Sequence, residues 1–297
     1  MAEPLELIAS VPHSSDPSIG LVLGGGGARG LAHIPVLEVF DELSLKPKLI
    51  AGASIGAIIG ASYASGMEAW QIRSHADEML GRWTDIARHL FTSTSKSLFE
   101  QLPLRPFSTA LIKPETLMEA VLPAELKKDF ADLELPLKIV ATDYYAQSPY
   151  VMETGALLPA VAASMALPAL FKPVHRDGRI LIDGGLTNPL PFDLVEPVVD
   201  ITIASHVVGG PTGDPSSGGV PSSLEAAIAS SQIMQNTIVR EKLKVHSPDI
   251  VLKPAVDTFR VLEFYRSKEI LRAAAPIKDE LKRVLDARFS AAQQKTL

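Results

Sequence analysis

None of the 297 residues is a cysteine. That absence removes disulfides, thiolate zinc sites, iron–sulfur clusters and cysteine nucleophiles together. No apolar run approaches the roughly 18 residues of a membrane-spanning helix. The opening stretch, MAEPLELIASVPHSSDPS, has neither a basic leader nor a continuous apolar segment, so it does not read as a secretory signal. No long Lys/Arg block occurs. With 28 basic and 34 acidic residues the formal charge is −6, a poor footprint for nucleic acid. These absences predict a soluble cytoplasmic protein with no nucleic-acid partner.

What is present is ordinary globular material. Hydrophobic residues make up 46% and charged residues 21%, which excludes wholesale disorder. The length suits one large domain or two small ones. Ile19–Leu23 is a short apolar run ending in four glycines, and Val36, Val39, Phe40 and Leu43 then fall on one helical face. Pro35 is tolerable near the first turn of that helix. Lys48–Ala53 reads as a second strand, and a small-residue helix follows from Ile55 to Ser65. Strand–helix–strand–helix is the pattern of a parallel sheet with helices on its faces.

Further along, Glu68–Leu90 reads as an amphipathic helix, and Leu98–Pro123 is broken by prolines. Strand signals return at Leu137–Thr142, Arg179–Ile182, Asp200–Ala204 and Asp249–Leu252. Between Gly209 and Ser223, twelve of fifteen residues are Gly, Pro or Ser, which marks a loop. A helix is predicted over Leu224–Val245 and another over Val261–Phe289, broken at Pro276. No internal repeat or linker divides the chain.

Three motifs carry chemistry. The first is Gly24-Gly-Gly-Gly-Ala-Arg-Gly30, between strand and helix, with GxGxxG at Gly25, Gly27 and Gly30. A dinucleotide site would need a carboxylate ending the next strand, but Ala51–Ser54 supplies none. A phosphate loop would need Gly-Lys-Ser/Thr, also absent. Two readings remain: a tight turn that lets helix and strand pack closely, or backbone N–H groups that hold a developing negative charge.

The second motif is Gly52-Ala-Ser-Ile-Gly56, a GxSxG where a strand turns into a helix. This is the pattern of a nucleophile elbow, with small residues either side of Ser54 letting strand and helix approach. A serine hydroxyl needs a base. Of the seven histidines only His206, just past a predicted strand, stands where a catalytic histidine would; His33 reads as a packing or capping residue, and the others lie on helices or turns. The third motif, Asp183-Gly-Gly185, follows a strand and offers a carboxylate instead. Partial burial would raise its pKa and make it a better base. Taken alone, Asp-Gly-Gly is ordinarily a turn.

Together, Gly24–Gly30, Gly52–Gly56 and Asp183–Gly185 in this order resemble the patatin-like phospholipase family. Gly30-Leu-Ala-His33 and Ala163–Pro173 extend the likeness over Ile19–Asp200, about two-thirds of the chain. Pro248–Pro254 and Phe264-Tyr265 are similar to small bacterial members related to the catalytic domain of neuropathy target esterase. Pro35 departs from a glycine common in relatives.

The resemblance implies an α/β, three-layer α/β/α fold with a mostly parallel central sheet. It places the catalytic core at 19–200; the residues themselves read as a polar tail at 1–18 and, at 201–297, as a strand and helical part completing the same domain. It further implies a Ser–Asp dyad without histidine: Ser54 as nucleophile, Asp183 as base, and the backbone of Gly25, Gly26 and Gly27 as oxyanion hole, with Arg29 adding charge. Gly24, Gly30, Gly52, Gly56, Gly184 and Gly185 are the motif glycines. The implied substrates are acyl esters of phospholipids, lysophospholipids or neutral lipids, with no cofactor or metal and with transient contact at a membrane surface. Leu98, Phe99, Leu102, Leu104, Phe107, Leu111 and Ile112 are the candidate contact, or else simply core. Two other readings stay open. One is a serine esterase or thioesterase on soluble esters, using His206 with Asp143 or Asp183. The other is a weakly active lipid-binding protein.

Overall fold

The computed structural model describes residues 17–79, 113–211 and 220–295. Its centre is an eight-stranded sheet. Four parallel strands form one side of it: β1 (Ile19–Leu23), β2 (Leu49–Ala53), β7 (Ile201–Ser205) and β8 (Ile250–Leu252), with β1 between β2 and β7 and β8 outside β7. β2 continues in parallel to β3 (Leu137–Asp143). Beyond it the pairing turns antiparallel, through β4 (Ser148–Met152), β5 (Val174–Arg176) and β6 (Arg179–Asp183).

β1 and β2 are buried along their whole length, which is why they read as continuous apolar runs rather than alternating ones. Alternate residues feed two separate cores. Leu21, Leu23 and Ile50 face one, with helices α1 (His33–Glu42), α2 (Ile55–Ala64), α5 (Leu157–Ser164), α7 (Ser267–Ala274) and α8 (Ile277–Lys295). Val22, Leu49 and Ala51 face the other, covered by Leu190, Phe192, Val195 and Val239 of α6 (Ser223–Lys242). The result is helix, sheet and helix in three layers. Among the described residues, no helix is long and apolar enough to cross a membrane.

The layout around β3 decides where the site lies. β4 pairs with Ile139–Asp143, occupying one edge of β3. β2 pairs with Ile50↔Leu137 through Ala53↔Val140, overlapping β4's span, so it must use the opposite edge. β6 pairs with Ala141–Asp143, also overlapping β4, so it continues the edge that β2 leaves. The ends of β2 and β6 therefore meet.

On α1, Val36, Val39 and Phe40 are fully buried, as their spacing predicts, while Leu43 is partly out at the helix end. The helix read over Glu68–Leu90 is helical over 69–79, labelled α3. Within the Pro-broken stretch, Pro114–Val121 forms α4. β4, β5 and α5 escaped the sequence reading for physical reasons. β4 is an edge strand containing Pro149, β5 has three residues, and α5 (LLPAVAAS) is apolar on every side and shows no helical period. α6 begins with a Ser222/Glu225 capping box and ends at Lys242 rather than Val245. The break at Pro276 separates α7 from α8 as expected. The apolar residues from Leu98 to Ile112 and most of the N-terminal tail lie outside the described residues.

Candidate active site

Ser54 stands between β2 and α2 with φ 54° and ψ −123°, a left-handed backbone that a serine adopts only under constraint. The glycines two positions either side explain why the turn closes. A side chain on Gly56 would run into the carbonyl of Leu23 at the end of β1, and one on Gly52 would meet the carbonyl of Gly56. The Ser54 N–H donates to Ser164 Oγ at 2.8 Å, and Ser164 Oγ donates to the carbonyl of Val140 at 2.6 Å. Ser164, fully buried at the end of α5, thus pins the elbow to β3. It sits in the Ala163–Pro173 segment but has no signal of its own in the sequence.

Ser54 Oγ, half-buried, donates to Asp183 Oδ2 at 2.7 Å. Asp183 ends β6 and is held on every side. Its Oδ1 accepts the Gly185 N–H at 2.7 Å, its N–H donates to Ala166, and its carbonyl accepts from Thr142 Oγ1 at 2.8 Å. Gly184 lies where any side chain would hit the Val140 carbonyl. Asp183 is 4% exposed, and among the described residues no cation is paired with it. Burial pushes its pKa up to about 6, against the opposing effect of hydrogen bonds from Ser54 and Gly185. A serine already donating to a carboxylate poised near neutrality is the arrangement a nucleophile and its base require.

The glycine loop crosses above this pair: a side chain on Gly25 would sit 3.5 Å from Ser54 Cβ. Its backbone is anchored at both ends. Gly24 N–H donates to Ser205 O, Gly25 N–H to Pro189 O at 3.0 Å, and Ala28 N–H to Val261 O at 2.7 Å. Among the described residues no acceptor takes the N–H groups of Gly26 and Gly27. Gly27 has φ 60° and lies against the Val261 carbonyl, where only glycine fits. Of the three glycines expected to donate, Gly25 thus has its N–H engaged by Pro189, and Gly26 and Gly27 hold the donors left over.

The family model for patatin-like phospholipases matches residues 21–195. The chain belongs to the patatin-like phospholipase family. An uncharacterised NTE family protein of Mycobacterium tuberculosis (strain H37Rv) is 32% identical over 201 residues, covering 67% of this chain and 52% of that protein. Human patatin-like phospholipase domain-containing protein 6 is 33% identical over 194 residues, covering 65% of this chain and 13% of that protein. The chain thus spans about half of the mycobacterial relative and a small part of the human one. Among solved structures, VipD from Legionella pneumophila superposes with a TM-score of 0.49 at 15% identity, over 92% of this chain and 67% of VipD.

Within this patatin-like framework, Arg29 does not stand as a free charge beside the glycine loop. It is 1% exposed, and its guanidinium donates to Phe259 O at 3.0 Å and presses on Gly209. With the Gln232 amide turned to suit, it also donates to that side-chain oxygen at 2.6 Å. Burial lowers its pKa to about 10, with Asp257 pulling the other way. The sequence motif could not show that a long cation after the loop would be drawn inward to bind the C-terminal segment. Gly30, by contrast, lies directly under Ile55, which explains its lack of a side chain.

The histidine-dependent alternative finds no geometry. His206 bonds neither Ser54 nor Asp183; its Nδ1 accepts the Val208 N–H at 3.3 Å, and burial lowers its pKa to about 4. Asp143 is paired with Arg179 at 2.6 Å and caps the β3–β4 turn through Tyr145 and Ala146. Neither belongs to a Ser–His–Asp chain, because the strand ends place them elsewhere on the sheet. Of the others, His75 donates to Val121 O and His246 pairs with Glu196.

Proposed function

We propose that this chain is a lipid acyl-ester hydrolase of the phospholipase or lysophospholipase type, acting through a Ser54–Asp183 dyad. The observation that carries the reading is the 2.7 Å hydrogen bond from Ser54 Oγ to Asp183 Oδ2. Ser54 Oγ attacks the ester carbonyl carbon and its proton passes to Asp183. The carbonyl oxygen becomes an oxyanion, which accepts hydrogen bonds from the N–H groups of Gly26 and Gly27 at the entrance to the first helical turn. Collapse of this intermediate breaks the C–O bond. The departing alcohol oxygen takes the proton from Asp183 and leaves an acyl-enzyme on Ser54. Water then adds to the acyl carbon, giving its proton to Asp183, and the fatty acid is released as Ser54 is re-protonated. The carboxyl needs a pKa near the working pH to serve as both base and acid, and burial supplies that. Contact with a membrane surface would bring substrate to the site.

The test is fatty-acid release from a panel of phospholipids, lysophospholipids, acylglycerols and acyl-CoA, with labelling by a fluorophosphonate probe. Hydrolysis and labelling are both expected, and both should fall to background in Ser54→Ala. Ester turnover at the wild-type level in purified, folded Ser54→Ala would overturn the assignment.

A further inference from the structure

His33 is fully buried, and the dyad chemistry does not use it. Its ring lies between the glycine loop and the end of β7. Nε2 is 2.9 Å from the carbonyl of Gly24, and Nδ1 is 2.8 Å from Ser205 Oγ. A carbonyl oxygen can only accept, so Nε2 carries the proton. Nδ1 is then a lone pair, and the Ser205 hydroxyl donates to it. Burial holds the imidazole down at about 4, so this neutral tautomer persists across physiological pH.

Ser205 also accepts the Gly24 N–H through its carbonyl at 3.1 Å, closing a ring of three residues. The Gly24–Gly25 peptide is thereby held by both of its polar groups, the carbonyl by His33 and the N–H by Pro189. A run of glycines has no side chains to fix it and the greatest backbone freedom to lose. The next two N–H groups along the chain are those of Gly26 and Gly27.

We propose that His33, as a neutral Nε2–H donor oriented by Ser205, is a positioning residue that locks the Gly24–Gly25 peptide and so aims the Gly26 and Gly27 N–H groups at the ester oxygen. This inference rests on the hydrolase reading above.

The test measures kcat and KM on a soluble short-chain nitrophenyl ester, and inhibition by an alkyl trifluoromethyl ketone. That ketone forms an oxyanion on the serine. His33→Leu is expected to lower kcat about 10²-fold, the scale of losing one oxyanion donor, with KM within about twofold and ketone inhibition weakened in step. His33→Gln, which can both donate and accept, should recover most of the loss. Ser205→Ala should cost roughly tenfold in kcat, the scale of one net hydrogen bond lost at one remove from the donors. In nitrogen NMR of labelled protein, His33 should show the Nε2–H neutral form from pH 5 to 8.

A folded His33→Leu with wild-type kcat, a kcat loss that leaves ketone affinity untouched, failure of rescue by Gln, or an Nδ1–H tautomer would each overturn the proposal. If His33→Leu does not fold, Ser205→Ala decides, and wild-type kcat there overturns it. Wild-type protein lacking Ser54-dependent turnover would instead bring down the hydrolase reading and this inference together.

Discussion

Asp183 meets Ser54 because β6 takes over the edge of β3 one residue after β2 gives it up: Ala53 pairs with Val140, and Asp183 with Ala141. Residues 129 apart in sequence thus share one hydrogen bond. No loop needs to move to bring them together, since both sit at strand ends tied into the sheet.

A base must be ionised to accept the serine proton. With the Asp183 carboxyl raised to about 6 by burial, kcat/KM on a neutral ester should climb with pH, reach half its maximum near 6, and level off above about 7. A pH–rate profile with its acid limb near 4 would show that another group controls the reaction.

The same shift predicts a pH-dependent stability. The folded carboxyl titrates above its ordinary 3.8, so ionisation is harder in the folded than in the unfolded chain. This carboxyl's contribution to stability is most favourable below about 4, declines as pH rises through about 6, and above 7 amounts to a penalty of up to ~3 kcal/mol. Asp183→Asn removes the charge while keeping the size and an acceptor for Gly185. It should melt higher than wild type at pH 8, lose that advantage at pH 4, and be inactive throughout. Paired thermal melts at the two pH values check the sign.

Ser164→Ala should damage the elbow without touching either reacting group. It strands the Ser54 N–H and frees the Val140 carbonyl, a loss of about 1–3 kcal/mol for a buried group left unpaired. Lower melting temperature and reduced kcat are expected together, with the fluorophosphonate probe still reacting slowly at Ser54. Ser164→Thr, which keeps the hydroxyl, should retain more activity than Ser164→Ala.

His206→Ala should leave kcat within about threefold, far from the 10²–10⁴ typical of a general acid–base residue. Measured beside Asp183→Asn, it separates dyad from triad. A large loss at His206 with a mild one at Asp183 would reverse the assignment.

Much of this site was readable along the chain because local rules wrote it there. An elbow needs small residues two positions from its serine, and Gly52 and Gly56 announce it. A strand buried on both faces is a run such as IGLVL. The Asp-Gly-Gly turn is equally local as a turn, though the Val140 carbonyl that Gly184 must clear comes from another strand. Elements without a local period, such as α5, or too short to show one, such as β5, left no such trace.

Motif and order of residues were enough to specify the strand-to-helix turns, the α/β class, and the serine and aspartate that share a hydrogen bond. Folding in three dimensions settled what each group does with its hydrogen bonds. It engaged the Gly25 N–H with Pro189, drew Arg29 inward to Phe259, turned His33 onto Gly24, and set Ser164 behind the serine. Those partners lie from 9 to 230 positions away. A hydrogen bond depends on atoms within about 3 Å in space, and spacing along the chain carries no record of which distant carbonyl or hydroxyl will arrive there.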